Sequence, residues 1–200
     1  MFVLIVLACS LILSLATGGR LRYVEGFRLR VLPLGIGAFV LQVLMFTARG
    51  ELLLGSLLPL AYMCSLLMLL AFLVLNWKVA GVPVLLAGLL LNVVVIGANG
   101  GRMPANPQAL IATGQADRAE LLVQEGPAAN VVLMSDATHL NALGDYIVLP
   151  FLGSLGSAYS VGDLVALAGE ALLVYGMVRK PVVGDGRQAL RDSEQASPKK

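Results

Sequence analysis

The sequence predicts an all-α integral membrane protein of five transmembrane helices, with a re-entrant or interfacial hairpin and short surface helices on the outer side. Three observations carry this expectation. The 200 residues are 58% hydrophobic and 13% charged, with a mean hydropathy of +0.86, whereas about a quarter of a soluble domain is charged. The apolar residues gather in runs nearly free of charge and about as long as a crossing of a ~30 Å hydrocarbon core requires. Basic residues fall in alternate connections. A water-soluble enzyme is excluded by this composition. The net charge of +2, from 14 basic and 12 acidic residues, is too small and dispersed for a nucleic-acid partner.

By hydropathy the spans lie at about 2–18, 31–47, 52–75, 79–98 and 160–178, forming one multi-pass domain over 1–180. Arg20, Arg22, Arg28 and Arg30 follow the first span, Lys78 follows the third, and the tail after the fifth is basic. The outer segment 99–159 holds two arginines against five acids. This bias places the N-terminus outside and the C-terminus in the cytoplasm of a plasma membrane. The first span lacks a positive flank before it and is followed by arginines, the pattern of an uncleaved anchor. Residues 181–200, rich in Ser, Gln and charge, read as a disordered cytoplasmic tail.

Within the outer segment, Asn106 can cap a short helix with Pro107 in its first turn, Gly114 interrupts, and 115–124 resumes as a second surface helix. Residues 146–158 are apolar but too short to span, and carry Pro150, Gly153 and Gly156. Non-helical backbone at membrane depth needs protein or a wet cavity to satisfy it, so a re-entrant segment beside an outer cavity is expected.

Ionisable groups near hydrocarbon are costly and therefore informative. In the run NGGRMP, residues 99–104, Asn99, Gly100 and Gly101 allow a tight turn. Its amides, beside Arg102, read either as an anion site for a lipid head group or as a helix stop. His139, the only histidine, lies six residues before Asp145; with three aspartates as the remaining ligands on offer, no metal and no cofactor are expected. Ser160 and Asp163 have the spacing of a capping box. The intervening hairpin would also return Asp163 to the depth of Asp145. Two carboxyls there would share a proton, one acting as acid and the other as base on a water molecule. The expected outward site thus comprises Asn99, Gly100, Gly101, Arg102 and His139 for ligand binding, with Asp145 and Asp163 as the candidate catalytic pair. Its partners would be membrane lipids or a peptide.

In the fifth span, Gly162, Gly169 and Gly176 recur every seven residues and offer a groove to a closely packed helix, such as that of another membrane protein. Glu170 lies on the Asp163 face, with Asn92 and Gln42 as possible partners, and supports an alternative reading as a proton-coupled transporter. A structural membrane subunit remains the plainest alternative.

The runs GGRL at 18–21, FRLR at 27–30, LQVL at 41–44, NGGRMP at 99–104, THL with LGD at 138–145 and SVGD at 160–163 together resemble a bacterial membrane-protein family, domain of unknown function 5317 (DUF5317). The resemblance covers nearly the whole chain except the tail. It implies a multi-pass plasma-membrane protein and supplies no reaction; Glu170 departs from the more apolar last helix it implies. A narrower likeness, over 143–169, is to the end of lipoprotein signal peptidases, where it implies Asp145 and Asp163 as the catalytic pair. Here Ser160 stands near where those enzymes have asparagine, the arginine-bearing motif before the first aspartate is missing, and five spans are expected in place of four.

Overall fold

The structure, a computed structural model, describes residues 2–151 and 157–179. The expected tail and the middle of the 146–158 segment lie outside the described residues.

The chain is mostly helical. Its long apolar helices are α1 (Phe2–Ala16), α2 (Leu32–Met45), α4 (Leu58–Leu75), α5 (Val82–Ala98) and α8 (Val161–Met177). Leucine, and the absence of internal proline, favour each one; Pro33, Pro59 and Pro83 sit in first turns, where the missing N–H costs nothing. The run expected to be one span from 52 is divided. Thr47 caps a short α3 (Ala48–Leu54), its hydroxyl accepting from the Gly50 amide at 3.0 Å. Gly55 then turns the backbone at φ +48° before α4. Taken together, Ala48–Leu75 is the one helical run among the described residues long and apolar enough to cross a membrane.

The long helices pack in the order α1, α8, α5, α4, α2. This is an open row, so large apolar side chains stay exposed along it, among them Leu4 (69%), Phe39 (67%) and Leu60 (62%). The core lies where the middle of the row meets, with Leu66, Phe72, Leu89, Val95 and Ile96 buried together. The tightest seam is α5 against α8. A Cβ on Gly88 would strike the Ala166 amide nitrogen and the Gly162 carbonyl, and one on Gly169 would strike the Leu85 amide. The groove expected on Gly162 and Gly169 is therefore real, but this chain's own α5 occupies it and leaves no room there for a second protein. Gly176, at the far end, meets only the Ala80 Cβ at 3.4 Å.

One end of the row gathers the basic connections. The buried Asn76 side chain accepts from the Arg30 amide at 2.7 Å and donates to the Arg30 carbonyl at 3.0 Å, and the Arg20 amide donates to the Val178 carbonyl at 2.7 Å. Arg20, Arg30, Lys78 and Arg179 are thus carried on connections at the same end.

The other end carries a small cap. Strand β1 (Met103–Ala105) pairs in parallel with β2 (Val131–Leu133). Helices α6 (Pro107–Ala112) and α7 (Ala116–Glu125) pack Leu110, Ala119 and Leu122 on Ala105 and Val131. Asn106 caps α6 as its sequence predicts, accepting from Ala109 N at 3.0 Å. Asp145 joins β1 through its backbone, donating to Pro104 O and accepting from Asn106 N, both at 2.8 Å.

Candidate functional site

Asp163 is placed by its own helix. Ser160 Oγ accepts from the Asp163 amide at 2.9 Å, and Asp163 Oδ2 accepts from the Ser160 amide at 3.0 Å, a complete capping box at the positive end of α8. The neighbouring helix completes the arrangement. Asn92 Nδ2 of α5 donates to Asp163 Oδ1 at 2.7 Å, and Asn92 Oδ1 accepts from Ser160 Oγ at 3.0 Å. Gly162 permits this, since a side chain there would overlap the Asn92 amide. The donors around Asp163 are those that a carboxylate anion accepts.

Asp145 is placed by the cap and lies within electrostatic range of Asp163. The described ends of the 146–158 segment are tied together: Ile147 and Tyr159 exchange backbone hydrogen bonds, each at 2.9 Å. The chain therefore returns after this segment, as the sequence leads one to expect. Asp145 Oδ1 is buried and makes no hydrogen bond. Burial, and then the charge of Asp163, push the Asp145 carboxyl up to about 8, against a smaller opposing pull from Arg118. Near neutrality Asp145 thus holds its proton.

Four more residues, Tyr62, Asn130, Phe46 and Arg118, lie near these groups and were not singled out by the sequence. Tyr62 of α4 hydrogen-bonds the Asn130 side chain and lies within electrostatic reach of both aspartates. Phe46 stacks edge-on against Tyr62 at 5.3 Å between centroids. Phe46, Asn130 and Arg118 also line a cleft of about 560 Å³ with Glu51 and Ala129.

The remaining expected site residues fall elsewhere. Asn99 is a clamp: its side chain accepts from the His139 amide and donates to the His139 carbonyl, each at 2.8 Å, and also donates to Val95 O. The imidazole of His139 belongs to an exposed residue. Gly100 and Gly101 take positive φ, +65° and +84°, and stop α5: Gly101 N donates to Ile96 O at 2.9 Å and Gly100 N to Gly97 O at 3.4 Å. Both amides expected to cradle an anion are therefore spent on the helix end. Arg102 pairs with neither aspartate among the described residues. It lines a separate groove with Gly100, Gly101 and Pro59. Glu170 is half-buried, and both partners expected for it are engaged, Asn92 with Asp163 and Gln42 with Ser65 Oγ at 3.2 Å. Among the described residues no three of His, Cys, Asp and Glu gather as metal ligands.

Fold and site define a class: a helical protein whose row of apolar helices ends in a small cap of two short strands and two short helices. Residues 26–175 match a family of unknown function (DUF5317), and since they make up more than half of the chain, the protein belongs to that family. Comparison with curated proteins and with solved structures finds no match.

Proposed function

We propose that this is a bacterial multi-pass plasma-membrane protein crossing the bilayer five times, with its cap outside, and that Asp145 and Asp163 form an acid–base pair that hydrolyses a bond presented at the outer boundary. The embedding is supported by the exposed apolar side chains along the row, since a water-soluble monomer rarely exposes contiguous apolar patches beyond a few hundred Å². The gathering of basic connections at one end agrees with that end facing the cytoplasm.

The chemistry rests on one observation: Asp145 Oδ1 is buried without a hydrogen-bond partner, and its carboxyl is raised by burial and by the charge of Asp163. On this reading the Asp145 carboxyl, which holds its proton, supplies an acid to the leaving group, and Asp163 serves as the base for the attacking water. An ester or peptide bond is the substrate class this chemistry suits. The narrower resemblance to lipoprotein signal peptidases points the same way.

Membranes containing the protein, incubated in oxygen-labelled water, should incorporate label into a product carboxylate. Asp145→Asn and Asp163→Asn should each abolish incorporation at unchanged protein abundance; label incorporated equally by either variant refutes the pair. Activity should fall as pH rises through about 8, where Asp145 loses its proton. Stability should follow a related curve. The folded carboxyl is raised above its unfolded value of 3.8, so between these limits the folded state binds more protons than the unfolded one. Its contribution is complete below about 4, declines as pH rises, and is gone above about 8. Thermal denaturation against pH should show that decline in the native protein and a flatter profile in Asp145→Asn.

A further inference from the structure

The groove beside Arg102 is distinct from the aspartate pair and has an unbalanced charge. It measures about 440 Å³ and lies between the start of α4 and the end of α5, lined by Ser56, Pro59, Leu60, Met63, Gly97 and Arg102. Its walls are largely apolar, and Leu60 and the neighbouring Leu57 are 62% and 60% exposed. Arg102 is half-buried, and its Nε is fully enclosed without a hydrogen-bond partner. A guanidinium so placed has lost water on one side without receiving an acceptor, a costly state that an anion would relieve. Gly101 holds the arginine close, because a Cβ there would lie 2.7 Å from the Pro59 Cβ.

We infer that this groove binds a phosphate-bearing amphiphile, its phosphate on Arg102 and its apolar part along Leu60 and Met63. The planar guanidinium suits two phosphate oxygens at once. The apolar wall, on the membrane reading above, opens toward lipid at the level of the outer helix ends. Free phosphate would satisfy the arginine alone and leave that wall uncovered.

The test uses the detergent-purified full chain and short-chain phosphatidylglycerol, with binding read by native mass spectrometry and by displacement of a fluorescent analogue. Arg102→Gln should weaken binding about tenfold or more, while Arg49→Gln, a change at an exposed arginine of α3, leaves it unaltered. Gly97→Leu serves as a second variant that keeps the arginine. A Cβ at Gly97 meets only Met63 Cε at 3.7 Å, so the position accepts a side chain, and leucine would fill the groove and also weaken binding. Diacylglycerol, which lacks the phosphate, should not displace the probe. Equal binding by wild type and Arg102→Gln, or an equal loss in Arg49→Gln, would overturn the site. Displacement by inorganic phosphate as effective as by the lipid would overturn its amphiphile part. Asp145→Asn should bind normally, so that failure of the hydrolytic reading and failure of this one give different results.

Discussion

Helix α8 meets its two neighbours in opposite ways. Against α5 the seam is glycine on backbone: Gly88, Gly162 and Gly169 bring main chains so close that no Cβ fits. Against α1 the seam is made of hydroxyls, with Ser10 Oγ donating to Ala171 O at 2.6 Å and Ser14 Oγ to Tyr175 O at 2.7 Å. A cavity of about 520 Å³ remains between them, lined by Leu13, Ala168, Leu172 and others. In lipid, helix association draws on close packing and interhelical hydrogen bonds rather than on expulsion of water. On the membrane reading, the comparison separates these two sources within one helix, and the catalytic candidate Asp163 sits on the seam made by packing.

Substitutions grade that contrast. Gly88→Val should have the largest effect, since its side chain would collide with the α8 backbone, which has no rotamer to yield. A destabilisation above about 3 kcal/mol is expected, seen as loss of the folded species in size-exclusion chromatography. If Gly88→Val is tolerated, the seam is looser than described. Asn92→Ala should come next, at about 1–3 kcal/mol, because it removes the donor to Asp163 and the acceptor for Ser160 together. Its thermal midpoint should fall, and the pH at which Asp145 titrates should shift, whereas a purely structural asparagine would change only the first. Ser14→Ala should have the smallest effect, about 0.6 kcal/mol, the average for an interhelical hydrogen bond in a membrane protein. A loss as large as that of Gly88→Val would show that hydroxyls, and not glycines, govern how α8 is held.

The pattern of what could be read from the sequence follows from the range of the interactions. Hydropathy located the long helices to within a few residues, and the caps at Asn106 and Ser160 were legible because each depends on residues three apart. Hydropathy is blind to φ, so the turn at Gly55 that separates α3 from α4 passed unseen within an apolar run. Asn92 stood out as an amide in an apolar helix, but the choice between Asp163 and Glu170 is one of depth, and two acids seven residues apart share a face. The return of the chain that pairs Ile147 with Tyr159 was legible because the segment between them is short. Tyr62 and Asn130 were not, because the fold joins them across long stretches of chain and neither has an unusual neighbourhood. NGGRMP satisfied two patterns equally, and the structure spends its amides on ending α5.

The serine seam also bears on how the chain is made. Ser10 and Ser14 find their acceptors 161 residues later, which at roughly 5–20 residues per second is a delay of about 8–32 s during translation. Meanwhile α2, α4 and α5 can settle against one another, while α1 waits with its hydroxyls unmatched. Docking of α8 therefore completes both ends of assembly at once, joining α1 to the row and delivering Asp163 to the cap. A protein halted before α8 is synthesised would leave α1 without its neighbour and α5 without the helix that packs tightest against it.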